Sequence, residues 1–133
     1  MFQAQVNRNK YLETSVQTAT PAQLLIMLCD GAIRFCRAGI EGIHENNYEK
    51  ANLNLCKVQN IISELSASLD RNIEVSQELS QLYEYFNYRL IEANTKKAAE
   101  PAEEVLGYLV EFKETWVEAA KKANAQAAGV VNG

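Results

Sequence analysis

Residues 20–47 read TPAQLLIMLCDGAIRFCRAGIEGIHENN, and this stretch contains the signals for both ends of one long helix. Thr20 can cap the helix, a proline follows at the first helical position, and Gln23 completes a capping box with Thr20. At the other end, Asn46 is a residue type that tolerates the left-handed backbone in which helices often finish. The stretch therefore predicts a first helix over residues 21–45.

Three further segments repeat apolar residues at alternating steps of four and three, which is the spacing of a helix packed in a bundle. They predict helices over residues 48–69, 74–95 and 101–123. No segment alternates like a strand, and the short turns favour antiparallel neighbours. The sequence thus predicts an all-α fold, an antiparallel up-down four-helix bundle, elongated because each helix is about 35 Å long.

The two ends of the chain differ from this pattern. Residues 1–19 are polar, apart from a short apolar and aromatic patch that includes Tyr11 and Leu12. The last residues, AQAAGVVNG, offer nothing that would anchor them to a core. We therefore divide the chain into an N-terminal segment, a bundle over residues 20–124 and a flexible tail over residues 125–133.

Composition excludes several classes of partner. The 133 residues are 47% hydrophobic and 23% charged, with 17 acidic against 13 basic side chains, so one globular domain is expected. Without a cluster of Lys and Arg, we expect no binding to nucleic acid, and without a long apolar run, no insertion into a membrane. Three cysteines at no framework spacing, and no signal peptide at the start, favour the cytoplasm.

Chemistry-bearing residues are too few to form a catalytic or metal site. His44 is the single histidine, and its Glu-x-x-His motif with Glu41 resembles one half of a di-iron site that needs two such motifs. A phosphotransfer bundle would need an exposed histidine in mid-helix, whereas His44 lies in a predicted last turn. Cys29 and Cys36 lie on one helix face without a zinc motif or a base nearby. We therefore expect no enzyme, no cofactor and no metal.

The first helix is more apolar than a bundle requires. Thirteen of the twenty residues between 24 and 43 are apolar, whereas a core-facing stripe needs about nine. Ile26, Ile33 and Ile40 repeat at sevens, away from the main stripe. Two readings of this excess remain open at this point: a helix surrounded by neighbours, or an exposed groove.

Aromatic residues favour the groove. Tyr83, Tyr85 and Tyr88 lie on one predicted helix and cannot all share the core face of Phe86. Tyrosine combines a large contact area with a polar tip, and exposed clusters of it are typical of recognition surfaces. An apolar groove between helices would suit amphipathic helices of a partner.

At these residues the sequence resembles the flagellin-specific export chaperones, the FliS family. The resemblance covers about residues 11 to 120. No single motif is specific for the family, but the ordered set of short motifs with this spacing is. These motifs are Tyr11, Thr18-Ala19-Thr20-Pro21, Gln23 to Leu28, Asp30-Gly31-Ala32, Lys57 to Leu65, Leu69-Asp70, Leu82 to Tyr85, Arg89 to Asn94 and Trp116.

The resemblance implies a function and its partners. Members of the family are helical bundles that bind the disordered C-terminal region of flagellin in the cytosol, prevent its premature polymerisation and present it to the export gate component FlhA. The N-terminal segment of the family can cover a groove until the client arrives. Carried over, residues 1–19 are the cover segment, with Tyr11 and Leu12 in it.

The same resemblance gives candidates for the client-binding groove. These are apolar residues of the first helix, namely Leu24, Ile26, Leu28, Ile33 and Ile40. Tyr83 and Tyr85 match an aromatic motif of the family. Their assignment to the groove is our own inference and is not implied by the resemblance. The alternative function is a self-assembling structural or adaptor bundle that uses the same apolar excess for homo-oligomers, and a weak homodimer is a further candidate partner.

Overall fold

The computed structural model describes residues 20–132, with side chains up to residue 126. All regular structure in this part of the chain is helical. The four helices are α1 Pro21–His44, α2 Tyr48–Ala67, α3 Val75–Lys96 and α4 Ala99–Asn132.

The helices pack in a ring in which each one contacts two neighbours: α1 with α2, α2 with α3, α3 with α4, and α4 with α1. Pairs across the α1–α4 seam show its direction, since Asp30 of α1 meets Lys113 of α4 whereas the later His44 meets the earlier Glu103. Residue numbers therefore rise on one helix as they fall on the other. The predicted all-α antiparallel four-helix bundle is confirmed.

Local signals fix the ends of α1. The Thr20 side chain accepts a hydrogen bond from the Gln23 amide at 3.2 Å, and the Gln23 side chain accepts one from the Thr20 amide at 3.0 Å. Both halves of the predicted capping box are therefore present. After the helix, Asn46 adopts a left-handed φ of 57°, which turns the chain into α2.

The core forms where the four apolar stripes meet along the bundle axis. Phe86 and Leu90 of α3 are fully buried, as are Leu55 of α2 and Leu109 of α4. The rings of Tyr83 and Phe86 lie 6.2 Å apart and both pack near Phe112. Most of the apolar stripes predicted from spacing therefore contribute to this core.

Two details differ from the expected boundaries. The last helix continues to Asn132, although the sequence predicts an end near residue 123 and a flexible tail after residue 124. The segment has no proline and is rich in alanine, the best helix former, so nothing in it stops the helix. The apolar spacing of the third predicted helix begins at Val75 and continues at Leu79 and Leu82, but Val75 remains 51% exposed because it is the first residue of α3.

Candidate functional site

A groove runs along the seam between α1 and α4, and we call it the α1–α4 groove. It has a volume of about 530 Å³, and its apolar floor includes Ile33 of α1 with Val110 and Val117 of α4. Ile33 is only 5% exposed, while both valines are half-buried. The floor is thus partly covered by the bundle's own packing and partly open to a partner.

Charged side chains line the rim of this groove. Asp30 and Lys113 pair across it at 2.7 Å. Arg34, Arg37, Glu114 and Glu118 also line it and are exposed. Among the described residues none of these four forms an ion pair closer than 4.0 Å, so their charges face solvent or a partner.

A second, smaller pocket lies at the end of the bundle where α1 begins. Its volume is about 320 Å³, and it is mostly apolar, with Leu25, Leu69 and Trp116 among its walls. Ile73 and Val75 extend the pocket onto the surface, where each is about half exposed. The end pocket therefore continues as an exposed apolar patch.

The candidate groove residues of α1 occupy different environments. Leu24 is 36% exposed in the first turn, and Ile26 and Leu28 are half-buried, with Leu28 packed against the core. Ile33 lies in the floor of the α1–α4 groove, whereas Ile40 is buried in the core. Of the row at sevens, the structure therefore brings Ile33 to this groove and places Ile40 in the packing between helices.

The apolar excess of α1 follows from its position. Every helix of the ring has two neighbours, but α1 shares the two most extensive contacts, with α2 and with α4, so more of its surface is buried than one stripe would cover. Both readings of the excess thus hold in part: α1 is surrounded on two sides, and the seam with α4 still leaves a groove.

The two candidate tyrosines lie apart. Tyr83 is 3% exposed and belongs to the core, where burial raises the pKa of its hydroxyl. Tyr85 is 40% exposed, and its hydroxyl donates a hydrogen bond to the carboxylate of Glu104. That hydrogen bond raises the pKa of Tyr85. Tyr11 and Leu12, the candidate cover residues, lie outside the described residues.

The described residues show little that could carry chemistry. Burial raises the pKa of the Cys29 thiol to about 11 and that of the Cys36 thiol to about 12. Both therefore stay protonated near neutral pH, and a thiol is a poor nucleophile. Within residues 20–132 there is no cluster of three or more side chains suited to a metal ion, and no helix has the apolar length to cross a bilayer.

Comparison with known proteins places this bundle in a family. The family model described as "Flagellar protein FliS" matches residues 3–123. The chain belongs to the FliS family. The match covers the first three helices completely and α4 up to nine residues before its end, so both the α1–α4 groove and the end pocket lie inside the matched region.

Curated relatives agree with this assignment. The flagellar secretion chaperone FliS of Bacillus subtilis is 41% identical over 109 residues, which cover 82% of each chain. That of Salmonella typhimurium is 35% identical over 118 residues, covering 86% of this chain and 87% of the relative. The Escherichia coli protein of the same name is 32% identical over 110 residues, or 80% and 81% of the two chains.

Several residues of the groove in this FliS-family chain escaped the sequence analysis. Val110 and Val117 are seven apart on α4, the same spacing as in the isoleucine row of α1, so the sequence contains a signal for them. The charged rim gave no such signal. The i,i+4 spacing of Asp30 and Arg34 favours an ion pair within α1, but Asp30 pairs with Lys113 of another helix.

Proposed function

We propose that this chain is a cytosolic chaperone of flagellar secretion that binds the disordered C-terminal region of flagellin. Binding prevents premature polymerisation of flagellin and presents it to the export gate component FlhA. The observation that carries the proposal is the apolar floor of the α1–α4 groove in a bundle of the FliS family, whose curated relatives are named flagellar secretion chaperones.

The physical demands of such a client fit the surface of the bundle. A disordered segment loses conformational entropy when it binds, so its partner must offer apolar surface to offset that cost. The α1–α4 groove offers such surface on α1 and α4, and the end pocket offers it on residues of all four helices and of the α2–α3 connection. Grooves between helices accept amphipathic helices through residues spaced three and four apart.

The apolar surface also explains why the chain should meet its client before export. Exposed apolar patches are a liability for a protein without a partner, and a client segment that fills an apolar groove must carry apolar residues of its own. Binding one set of apolar residues to the other removes both from water. The proposal thus assigns the bundle a holding function and requires no chemical step.

Calorimetric titration with the C-terminal segment of flagellin from the same organism tests the proposal. We expect saturable binding near 1:1, a negative heat-capacity change and a gain in helical circular dichroism, because apolar burial and folding of the client are coupled. Titration with an N-terminal flagellin segment is the control. Absence of heat and of helix gain with the C-terminal segment would contradict the proposal, and a closed oligomer in light scattering would then favour the self-assembling bundle.

A further inference from the structure

The charges on the rim of the α1–α4 groove change sign along its length. Helices α1 and α4 run antiparallel, and Asp30 of α1 pairs with Lys113 of α4. This ion pair therefore marks the same level along the groove on both helices. Arg34 and Arg37 follow Asp30 along α1 and lie on one side of that level. Residues that follow Lys113 along α4 lie on the other side.

The acidic end of the groove is formed by Glu114 and Glu118, which follow Lys113. At 1.5 Å per residue, the centre of this acidic pair lies about 13 Å along the groove from the centre of the arginine pair. That distance corresponds to roughly nine residues of a docked helix. The groove therefore has a basic end and an acidic end, separated by a neutral ion pair and an apolar floor.

We propose that the α1–α4 groove binds an amphipathic helix of the client in one direction only. The start of the client helix lies beside Glu114 and Glu118, and its end lies beside Arg34 and Arg37. This inference rests on the proposed chaperone function, and it adds to it the direction and the charge pattern of the bound segment.

Two contributions favour this direction. The N-terminus of a helix carries a partial positive charge and its C-terminus a partial negative charge, so the acidic end of the groove attracts the first turn and the arginines attract the last. Side chains add to this preference, because basic residues near the start of the client helix and acidic residues near its end meet opposite charges on the rim. The reversed helix would place like charges together at both ends.

The partner is therefore specified by its chemistry. It is a helix with an apolar stripe at steps of three and four, basic side chains in its first turns and acidic side chains, or a free carboxylate, in its last. The half-buried Val117 lies in the floor near the acidic end, and the half-buried Val110 lies near the basic end beside the nearly covered Ile33, so the apolar stripe has a contact towards each end.

Paramagnetic labelling tests the direction. Nitroxide labels are placed one at a time along the C-terminal flagellin segment, and the broadening of backbone amide signals of the bundle is recorded by NMR. We expect that, in the client helix that fills the groove, early labels broaden residues 114–118 and late labels broaden residues 34–37. The opposite order overturns the inference.

Charge reversal provides an independent test. Each pair, Arg34→Glu with Arg37→Glu or Glu114→Lys with Glu118→Lys, should weaken client binding about three- to tenfold, since exposed ion pairs contribute modestly. The difference should vanish at about 1 M salt, where charges are screened within about 3 Å. Glu64→Lys, an exposed reversal on α2 away from the groove, is the control and should bind like the parent.

The outcomes separate the inference from the proposed function. Unchanged client affinity in both charge-reversal variants would overturn the proposed direction of the client helix. So would labels that broaden signals at neither end of the groove. Either result leaves the chaperone function standing. A flagellin segment that fails to bind the parent bundle contradicts both. Circular dichroism of each variant shows whether the bundle is intact, which we expect because all four side chains are exposed.

Discussion

Gly42 of α1 lies so close to Ala51 of α2 that a Cβ atom on the glycine would come within 2.7 Å of the Ala51 amide nitrogen. That neighbour is backbone, so it cannot move away as the end of a flexible side chain could. We expect Gly42→Ala to lower the free energy of unfolding by about 2 kcal/mol, because the steric cost outweighs the gain in helix propensity. Urea denaturation followed by circular dichroism measures the change.

Gly107 of α4 is the matched control. A Cβ atom there would meet no atom within 4 Å, so Gly107→Ala should raise stability by up to about 1 kcal/mol through helix propensity alone. If Gly42→Ala proved as stable as Gly107→Ala, the close approach of α1 to α2 would not be a constraint on the fold.

The capping box of α1 can be tested at Thr20. We expect Thr20→Ala to cost about 1 kcal/mol, because the amide of Gln23 loses its acceptor. Thr115→Ala is the control, since Thr115 lies inside α4 and its hydroxyl donates only to the carbonyl of Glu111. Thermal unfolding should show a lower Tm for Thr20→Ala alone, and equal Tm values for the two variants would rule out a stabilising role for the cap.

The apolar floor of the α1–α4 groove should contribute to the affinity for the client. Val117→Ser removes apolar surface from a half-buried position in the α1–α4 groove, and we expect a loss of about 1 kcal/mol in binding, or roughly a fivefold higher Kd. Leu53→Ser is the control, because Leu53 lies on α2 outside the groove and is 53% exposed. Calorimetric titrations in which both variants bind alike would remove this groove from the client site.

Stability should fall at alkaline pH through Cys36. Burial raises its pKa from an ordinary value of 9.0 to about 12, so between these pH values the folded chain keeps a proton that the unfolded chain releases. Its stabilising effect is complete below pH 9.0 and declines as the pH rises towards about 12, with a slope of up to about 1.4 kcal/mol per pH unit.

Denaturation at a series of pH values checks this expectation. The slope of stability against pH should become shallower in Cys36→Ala, whatever the change in stability at neutral pH. Thr115→Ala, which changes no ionisable side chain, is the control and should keep the slope of the parent. Parallel curves for the parent and Cys36→Ala would show that this thiol does not take part.

The cover hypothesis concerns residues 1–15. If this segment shields apolar surface while no client is bound, its deletion should raise client affinity or promote self-association, because the α1–α4 groove and the end pocket would be exposed. Titration with the flagellin segment and the monomer fraction in light scattering measure the two effects. Unchanged affinity together with an unchanged monomer fraction would refute the hypothesis.

Much of the fold could be read from the sequence because its signals are local. The threonine cap at Thr20, the left-handed Asn46 and the apolar spacing of α2 and α3 depend only on neighbouring residues, so the predicted bounds fall within two residues of the observed ones for these helices. The sequence predicts the end of α4 near residue 123, because the residues that follow have no apolar anchor, but the alanine-rich segment has no proline and the helix continues to Asn132.

The site was harder to predict because it depends on which helices become neighbours. The isoleucine spacing on α1 shows a second apolar face, but only the packing of neighbouring helices decides that Ile40 is covered and that Ile33 borders the groove with α4. The partner of Asp30 is likewise 83 residues away in the chain, at Lys113. Such pairings between helices leave no local signal.

The ring of helices has one seam unlike the other three. Short connections tie α1 to α2, α2 to α3 and α3 to α4, whereas α1 and α4 meet only through folding of the whole chain. Closing a contact between distant segments costs more chain entropy than closing a short loop. We therefore expect the α1–α4 seam to form last during folding. No short loop joins these two helices, so a client that inserts between them would separate them without straining a connection.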